Sequence, residues 1–253
     1  MPDPETNLPL SGRSAFRLHG AALSHIGLVR QQNEDATLAD PTRCIWAVAD
    51  GMGGHHHGRL AANMTIDALS EYRPNRNPGV EIERVLKSAN QQILKHAKSL
   101  GVDRMGATAV VLAIVGGRAF IAWVGDARCY VMRSGRLHQV TQDHTVVQDL
   151  VDRGLLDPAD ADDHPEANVV TRGLGVLPGI EIDFRKVELL DGDRLLACSD
   201  GLTGVTPDIA VSEALRSTET VEEACCALID VTLDRGAKDN VSVVVIDVRA
   251  VHS

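Results

Sequence analysis

Residues 108–140 read TAVVLAIVGGRAFIAWVGDARCYVMRSGRLHQV and contain four runs of β-branched and apolar residues. Gly116-Gly117 and Ser134-Gly135, which separate two pairs of these runs, have the two-residue chemistry of hairpin turns. The region therefore predicts an antiparallel meander with strands at 108–115, 118–124, 127–133 and 136–140. Strands joined by such short turns are antiparallel, so we exclude a doubly wound parallel sheet.

Further elements are predicted on both sides of this region. Apolar runs indicate strands at 16–23, 43–49, 182–189, 194–199 and 241–248. Helical spacing of apolar residues indicates helices at 60–72, 82–97 and 145–156. Thr206-Pro207 has the form of an N-cap followed by proline at the first helical position, and Thr220 with Glu223 forms a capping box. We predict an α+β fold, with one domain over 15–253 after a flexible tail at 1–14.

Composition narrows the class of protein. The chain has 253 residues, of which 44% are hydrophobic but only 3% aromatic, so the core must be mainly aliphatic. The formal net charge is -10, and the sequence has no basic run that would offset it. An acidic surface repels phosphate backbones, so binding to nucleic acid is excluded.

The five cysteines are odd in number, lie mostly in apolar stretches and form no C-x-x-C pair. This usage is typical of small core residues in a reducing compartment. The N-terminal stretch has no apolar signal region, and no segment approaches the length of a membrane span. We therefore expect a cytoplasmic protein without membrane association.

Acidic residues end two of the predicted strands and precede a third. The run 45–49 leads into Asp50-Gly51, the run 195–199 leads into Asp200-Gly201, and Asp239 stands just before the last strand. Taken singly, each is more simply read as a turn residue, because Asp-Gly is a common turn dipeptide. Taken together, they can converge on one point, where a cation would be needed to offset their repulsion.

Three more acids stand out: the pair Glu34-Asp35, and Asp126, which follows the run Ala122-Trp123-Val124-Gly125. Ligation by oxygen alone favours a hard cation, Mg²⁺ or Mn²⁺. Zinc would require histidine or cysteine ligands at defined spacing, and the only histidine cluster is His55-His56-His57. The sequence therefore predicts a magnesium or manganese site.

At this point the residues match a family. The motifs occur in the family's order and are RQQNED (30–35), ADGMGGH (49–55), GATA (106–109), WVGDAR (123–128), VTRGLG (170–175), CSDGL (198–202) and KDNVS (238–242). The chain resembles the metal-dependent PPM, or type 2C, serine/threonine protein phosphatases in their compact bacterial form. The resemblance covers nearly all of residues 16–248. It implies a four-layer α-β-β-α sandwich, in which two antiparallel sheets pack face to face between helices.

The resemblance also implies a set of site residues. It implies two Mn²⁺ or Mg²⁺ ions, with Asp50 between them, the carbonyl of Gly51 on one ion, and Asp200 and Asp239 on the other. It places Glu34 and Asp35 at the ions through water. It places Asp126, with Asp200, at a third and weaker ion site. Arg30 corresponds to the arginine that holds the substrate phosphate.

The activity implied by the resemblance is hydrolysis of phosphoserine and phosphothreonine in proteins by direct attack of a metal-bridging water or hydroxide. The enzyme would be a monomer that opposes a bacterial serine/threonine kinase carried on a separate chain. A cysteine phosphatase would need an arginine six positions after the cysteine, and none of the five cysteines has one.

Two features depart from or extend the family pattern. Met52 stands where some members have a histidine proposed as the general acid, and methionine cannot donate a proton. Residues 155–178 correspond to the family's mobile flap, and their acidic composition predicts a preference for phosphosites flanked by basic residues. Two alternatives stay open: a pseudophosphatase that binds without turnover, and a metallophosphatase of small phosphate esters.

Overall fold

The computed structural model of the chain describes residues 16–54, 56–74, 77–161 and 164–251, so the predicted tail at 1–14 lies outside the described residues. The strands within these ranges are β1 (Phe16–His25), β2 (Ala36–Asp40), β3 (Ile45–Met52), β4 (Gly106–Val115), β5 (Arg118–Val124), β6 (Arg128–Arg133), β7 (Arg136–Gln139), β8 (Asp183–Glu188), β9 (Arg194–Cys198) and β10 (Val241–Ala250). The α-helices are α1 (His57–Ser70), α2 (Pro78–Leu100), α3 (Val146–Asp152), α4 (Asp200–Thr203), α5 (Asp208–Arg216) and α6 (Val221–Leu233).

The strands form two sheets of five strands each. The first sheet has the order β1-β10-β9-β6-β7 and the second has the order β2-β3-β4-β5-β8. Each pairing of neighbouring strands is antiparallel. The predicted sheet type is confirmed.

Three apolar layers hold the sheets and helices together. The layer between the sheets is built around Trp46, Trp123 and Ile246, all of them buried. A second layer lies between the second sheet and helices α1 and α2, where Leu86 and Ile93 of α2 are fully buried. A third lies between the first sheet and helices α5 and α6. The order of layers is helix, sheet, sheet, helix, so the predicted four-layer sandwich is confirmed.

The predicted meander is wrong in one respect. The Gly116-Gly117 and Ser134-Gly135 turns do join hairpins, β4 to β5 and β6 to β7. Strands β5 and β6, however, lie in different sheets, and the chain crosses between the sheets at residues 125–127. Gly125 makes this crossing with φ +98, and a Cβ atom there would lie 2.4 Å from the side chain of Thr108. The crossing brings Asp126 to the end of the sandwich where β3 also ends.

Several local predictions need correction. Strand β2 and the short helix α4 were not predicted, and α3 ends at Asp152 instead of residue 156. Thr206 is not the N-cap of α5; Pro207 holds that position, and the Thr206 hydroxyl lies 3.0 Å from the hydroxyl of Thr232. The capping box of Thr220 and Glu223 is confirmed at the start of α6.

None of the helices in the described ranges has the length and apolar content that crossing a lipid bilayer requires.

Candidate metal centre

Strand β3 places Asp50 near its end, after a run of fully buried residues from Ile45 to Ala49. The next residue, Gly51, allows a close backbone approach, since a Cβ atom there would lie 2.2 Å from the carbonyl group of Gly58 and 2.6 Å from the carbonyl oxygen of Glu34. Glycine at this position therefore lets the start of α1 and the Glu34 backbone pack directly against the end of β3.

The ends of β9 and β10 bring three more acids to the same place. Ser199, which follows β9, donates its hydroxyl to Asp35 Oδ2 at 2.9 Å and accepts from the Ser242 amide at 2.9 Å. Asp200 then begins α4, and a Cβ atom on Gly201 would lie 1.8 Å from the Asn240 carbonyl oxygen. The turn between β9 and α4 is thus packed on the start of β10, where Asp239 lies.

The side chain of Asn240 fixes the loop that carries Arg30 and Glu34. Its Nδ2 donates to the carbonyl oxygens of Ile26 at 2.8 Å and Gln32 at 2.9 Å, and its Oδ1 accepts from the Glu34 amide at 2.8 Å. Asn240 is only 5% exposed, so these bonds are shielded from water. One buried side chain therefore attaches both ends of the 26–34 loop to the residue that follows Asp239.

Arg30 extends over the acids from this loop. Its Nη2 donates to Asp239 Oδ2 at 2.5 Å, and 54% of its side chain is exposed to solvent. The hydrogen bond to Asp239 is the largest cause that raises the pKa of Arg30, with smaller contributions from Asp50 and Glu34. The guanidinium is thus held at the acids while it keeps surface available for a further anion.

These residues line one cavity of about 730 Å³. Its lining includes Arg30, Glu34, Asp50, Gly51, Met52, Asp126, Asn168, Val169, Val170, Asp200 and Asp239. Asp35 is buried beside it, bonded to Ser199. The structure therefore brings together the eight residues to which the resemblance assigns a role at the site.

The carboxyl groups carry strongly perturbed pKa values. Loss of hydration, followed by repulsion from Asp35 and Asp200, raises the pKa of Asp50 well above its ordinary value. Loss of hydration also raises the pKa of Asp35 to about 6 and that of Asp126 to about 8, with repulsion from Asp200 adding to both. Asp50 keeps some accessible surface because it faces the cavity. Carboxyl groups this close must share protons or a cation.

The donor set fits a hard divalent cation. Asp35 Oδ1 and Asp200 Oδ1 are buried, and no hydrogen-bond donor among the described residues reaches either oxygen. Within the described ranges, no group of three or more His, Cys, Asp or Glu side chains is arranged so that it could hold an ion unaided. Mg²⁺ and Mn²⁺ do not need such a group, because they retain several waters and also bind backbone carbonyls.

Comparison with known proteins shows the family to which this chain belongs. Residues 18–150 match the family described as Protein phosphatase 2C. The chain belongs to this family, the metal-dependent serine/threonine protein phosphatases.

Bacterial relatives match over most of the chain. It is 37% identical to the serine/threonine protein phosphatase PstP of Mycobacterium tuberculosis (strain H37Rv) over 93% of its own residues, and it spans 46% of the length of PstP. It is 32% identical to the serine/threonine phosphatase Stp of Listeria monocytogenes (strain EGD-e) over 91% of this chain and 96% of Stp. The crystal structure of the PstP catalytic domain in complex with two manganese ions superposes with a TM-score of 0.84 at 35% identity, covering 92% of this chain and 98% of that one.

Other residues within or next to the quoted motifs differ in their position relative to the cavity. Met52 lines the cavity, whereas His55 lies outside the described residues. His56 is exposed, with its Nε2 3.3 Å from Gln32 Nε2. Arg172, in the motif VTRGLG, does not line the cavity and instead forms ion pairs with Asp183 at 3.2 Å and Glu181 at 3.9 Å.

Sequence reasoning overlooked the residues that position the acids. Asn240 and Ser199 were quoted only as parts of motifs, although each bonds to the segment that carries Arg30, Glu34 and Asp35. A polar residue directly beside a predicted metal ligand and at either end of a buried strand is the signal that could have found them.

Proposed function

We propose that this chain hydrolyses phosphoserine and phosphothreonine in proteins, with its metal ions held by the acids of the cavity. The observation that supports the proposal is the convergence of Asp50, Asp200 and Asp239 with Arg30 in one open cavity. Asp50 and the Gly51 carbonyl would hold one ion, and Asp50, Asp200 and Asp239 the other. Glu34 and Asp35 would act through water, and Asp126 with Asp200 would hold a third ion.

The chemistry divides between the ions and the protein. Two divalent ions, when bound, lower the pKa of water and offset the negative charge of the phosphoryl oxygens. The chain's own contribution is to hold carboxylates at fixed positions at strand ends and to bind the phosphate. The Arg30 guanidinium can donate two parallel hydrogen bonds to phosphoryl oxygens, while Asp239 keeps it oriented. Met52 contributes no proton to the leaving group.

Changing Arg30 to Ala should raise the KM for a phosphothreonine peptide roughly tenfold to a hundredfold and lower kcat much less. The reason is that the guanidinium is half exposed and binds the substrate phosphate, so its loss removes binding more than activation of water. Steady-state kinetics at saturating Mn²⁺ measures the split. Arg84→Ala, an exposed arginine on α2 that pairs with Glu81, is the matched control and should leave both constants unchanged. A fall in kcat alone would contradict the assigned role.

The cellular setting completes the proposal. We infer that the protein opposes a serine/threonine kinase on a separate chain, works as a monomer, and acts in the cytoplasm. The cysteines of the described chain are all free thiols, which supports a reducing compartment.

The test is release of phosphate from a phosphothreonine peptide with Mn²⁺, then after addition of EDTA. We expect release that needs the ion and stops on chelation. A peptide of the same sequence with phosphotyrosine should be a poor substrate, which separates this specificity from general phosphoester hydrolysis.

Two outcomes would replace the proposal. No release from folded protein with any divalent ion would indicate a pseudophosphatase. Faster hydrolysis of small phosphate esters than of any phosphopeptide would indicate a metabolite phosphatase.

A further inference from the structure

Exposed aliphatic side chains are concentrated in two segments, each of which contributes residues to the lining of the cavity. Among the described residues, eleven large hydrophobic side chains are exposed, and six of them lie in two segments, the loop before Arg30 and residues 155–178. These six are Leu28, Val29, Leu155, Val169, Val176 and Leu177. Single exposed apolar residues are ordinary on a protein surface, but clustering beside an active site marks a binding surface.

In the first segment, Leu28 and Val29 directly precede Arg30, which lines the cavity, and they are 62% and 64% exposed. Their loop is well anchored. Gly27 has φ +80, and a Cβ atom there would lie 2.2 Å from the Asp239 carbonyl oxygen. The Leu28 amide donates to the Ala237 carbonyl at 2.9 Å, and Asn240 binds the loop on both sides. The backbone therefore presents two aliphatic side chains to solvent at fixed positions.

In the second segment, Val169 itself lines the cavity and is 45% exposed. Its segment is also anchored, because the Val146 amide donates to the Val169 carbonyl at 2.9 Å and Val170 forms a β-bridge with Thr145. An aliphatic surface held in advance loses little conformational entropy when it is covered by a ligand.

The charged side chains that the structure describes in the cavity all have a role at the metal ions or the phosphate in the proposed function, so none of them remains to recognise residues that flank the phosphosite. Among its described lining residues, the charged side chains are those already assigned to metal or phosphate, namely Arg30, Glu34, Asp50, Asp126, Asp200 and Asp239. The remaining polar lining is uncharged and includes Gln31, Gln32 and Asn168. The described acids of residues 155–178, Asp157, Asp160 and Glu166, do not line the cavity.

We propose that Leu28, Val29 and Val169 select protein substrates that carry an aliphatic residue next to the phosphorylated serine or threonine. This inference rests on the proposed function and specifies its substrate class. The occupant is the substrate chain itself, because Val169 lines the cavity that would receive the phosphate, and Leu28 and Val29 directly precede Arg30, which lines it too. It differs from the basic flanking preference that composition alone predicts.

The experiment uses phosphothreonine peptides that are identical except for Leu, Ser, Asp or Lys on both sides of the phosphothreonine. We expect kcat/KM with Mn²⁺ to be roughly threefold to tenfold higher for Leu than for Ser, because part of one aliphatic side chain leaves water on each side. Equal values, or a preference for Lys, would overturn the inference.

Variants locate the preference. Leu28→Ser, Val29→Ser and Val169→Ser should each move the Leu-to-Ser ratio of kcat/KM toward one. A variant that only disturbs the fold lowers both rates and leaves this ratio unchanged, so an unchanged ratio in all three variants also overturns the inference. Ile209→Ser on α5, where the side chain is 66% exposed and lies outside both segments, is the matched control and should keep the wild-type ratio.

A second substrate separates this inference from the proposed function. Hydrolysis of p-nitrophenyl phosphate, which has no flanking residues, reports the phosphatase activity by itself. Activity on this ester with no preference among peptides leaves the proposed function standing and overturns the inference. If nothing is hydrolysed, the proposed function fails, and fluorescence anisotropy of the same labelled peptides still decides the inference. Tighter binding of the Leu peptide supports it, and equal affinities overturn it.

Discussion

Asp50→Asn should lower kcat for a phosphothreonine peptide by roughly 10³-fold, which corresponds to several kcal/mol of lost transition-state stabilisation. Asp35, Asp126 and Asp200 all repel the Asp50 carboxylate, so a cation bound at Asp50 offsets more than one repulsion. Asparagine keeps the shape but has one ligand oxygen and no charge. Phosphate release measures the fall in kcat, and calorimetric titration with Mn²⁺ measures the loss of metal affinity. Asp67→Asn on the exposed face of α1 is the matched control.

The same variant should be more stable than the parent protein when EDTA is present. Asp50 has a raised pKa, so its ionisation costs stability as pH rises above the ordinary value of 3.8. The gain should therefore be greater at pH 7 than at pH 4, because pH 4 is close to the ordinary pKa of 3.8 in the unfolded chain and little of this cost has arisen there. Each kcal/mol corresponds to about 2–4 °C in Tm for a chain of this size. A lower Tm at pH 7 would show that Asp50 is stabilising without metal.

Asn240→Ala should reduce the free energy of unfolding by roughly 2–4 kcal/mol, because it leaves two carbonyls and one amide of the 26–34 loop without their buried partner. It should also raise the KM for phosphopeptides, since Arg30 is carried by that loop. Denaturant unfolding and steady-state kinetics measure the two effects.

Asn240→Asp is the informative companion variant. Aspartate can still accept from the Glu34 amide but cannot donate to Ile26 and Gln32, so it should rescue only part of the stability. Asn63→Ala on the exposed face of α1 is the matched control. If Asn240→Ala keeps the parent stability and KM, the loop is held by other contacts.

Local chemistry in the sequence predicts much of this structure. The Gly116-Gly117 and Ser134-Gly135 hairpins and the Thr220 capping box depend on residues close in the chain, and all three occur. Strand β2, with the sequence ATLAD, is only five residues long and has a single β-branched residue, Thr37, so it does not stand out. The separation of β5 from β6 could not be predicted, because a strand pattern does not specify which strand lies beside it.

The candidate site shows the same division. Asp50, Asp126 and Asp200 were recognisable because each follows an apolar run, and Asp239 because it precedes one. For Glu34 and Asp35 only the ordered motifs gave the signal, and those motifs also implied that the acids meet. The bonds of Asn240 span more than two hundred residues of sequence to Ile26, Gln32 and Glu34, so no local pattern contains them. The N-cap assigned to Thr206 was also wrong because of a contact distant in sequence: the Thr206 hydroxyl lies against that of Thr232 in helix α6.

Both sheets contribute acids to the site. Strand β3 of the second sheet carries Asp50, while Asp200 and Asp239 lie at the ends of strands of the first sheet. A shift of one sheet over the other by one residue, about 3.3 Å, would separate these acids without breaking a hydrogen bond within either sheet. We therefore expect the metal affinity to depend on the alignment of the two sheets. Substitutions at Trp46 or Ile246, in the apolar layer between the sheets, should change that affinity from a distance. Bound ions, in turn, should slow amide exchange in both sheets together.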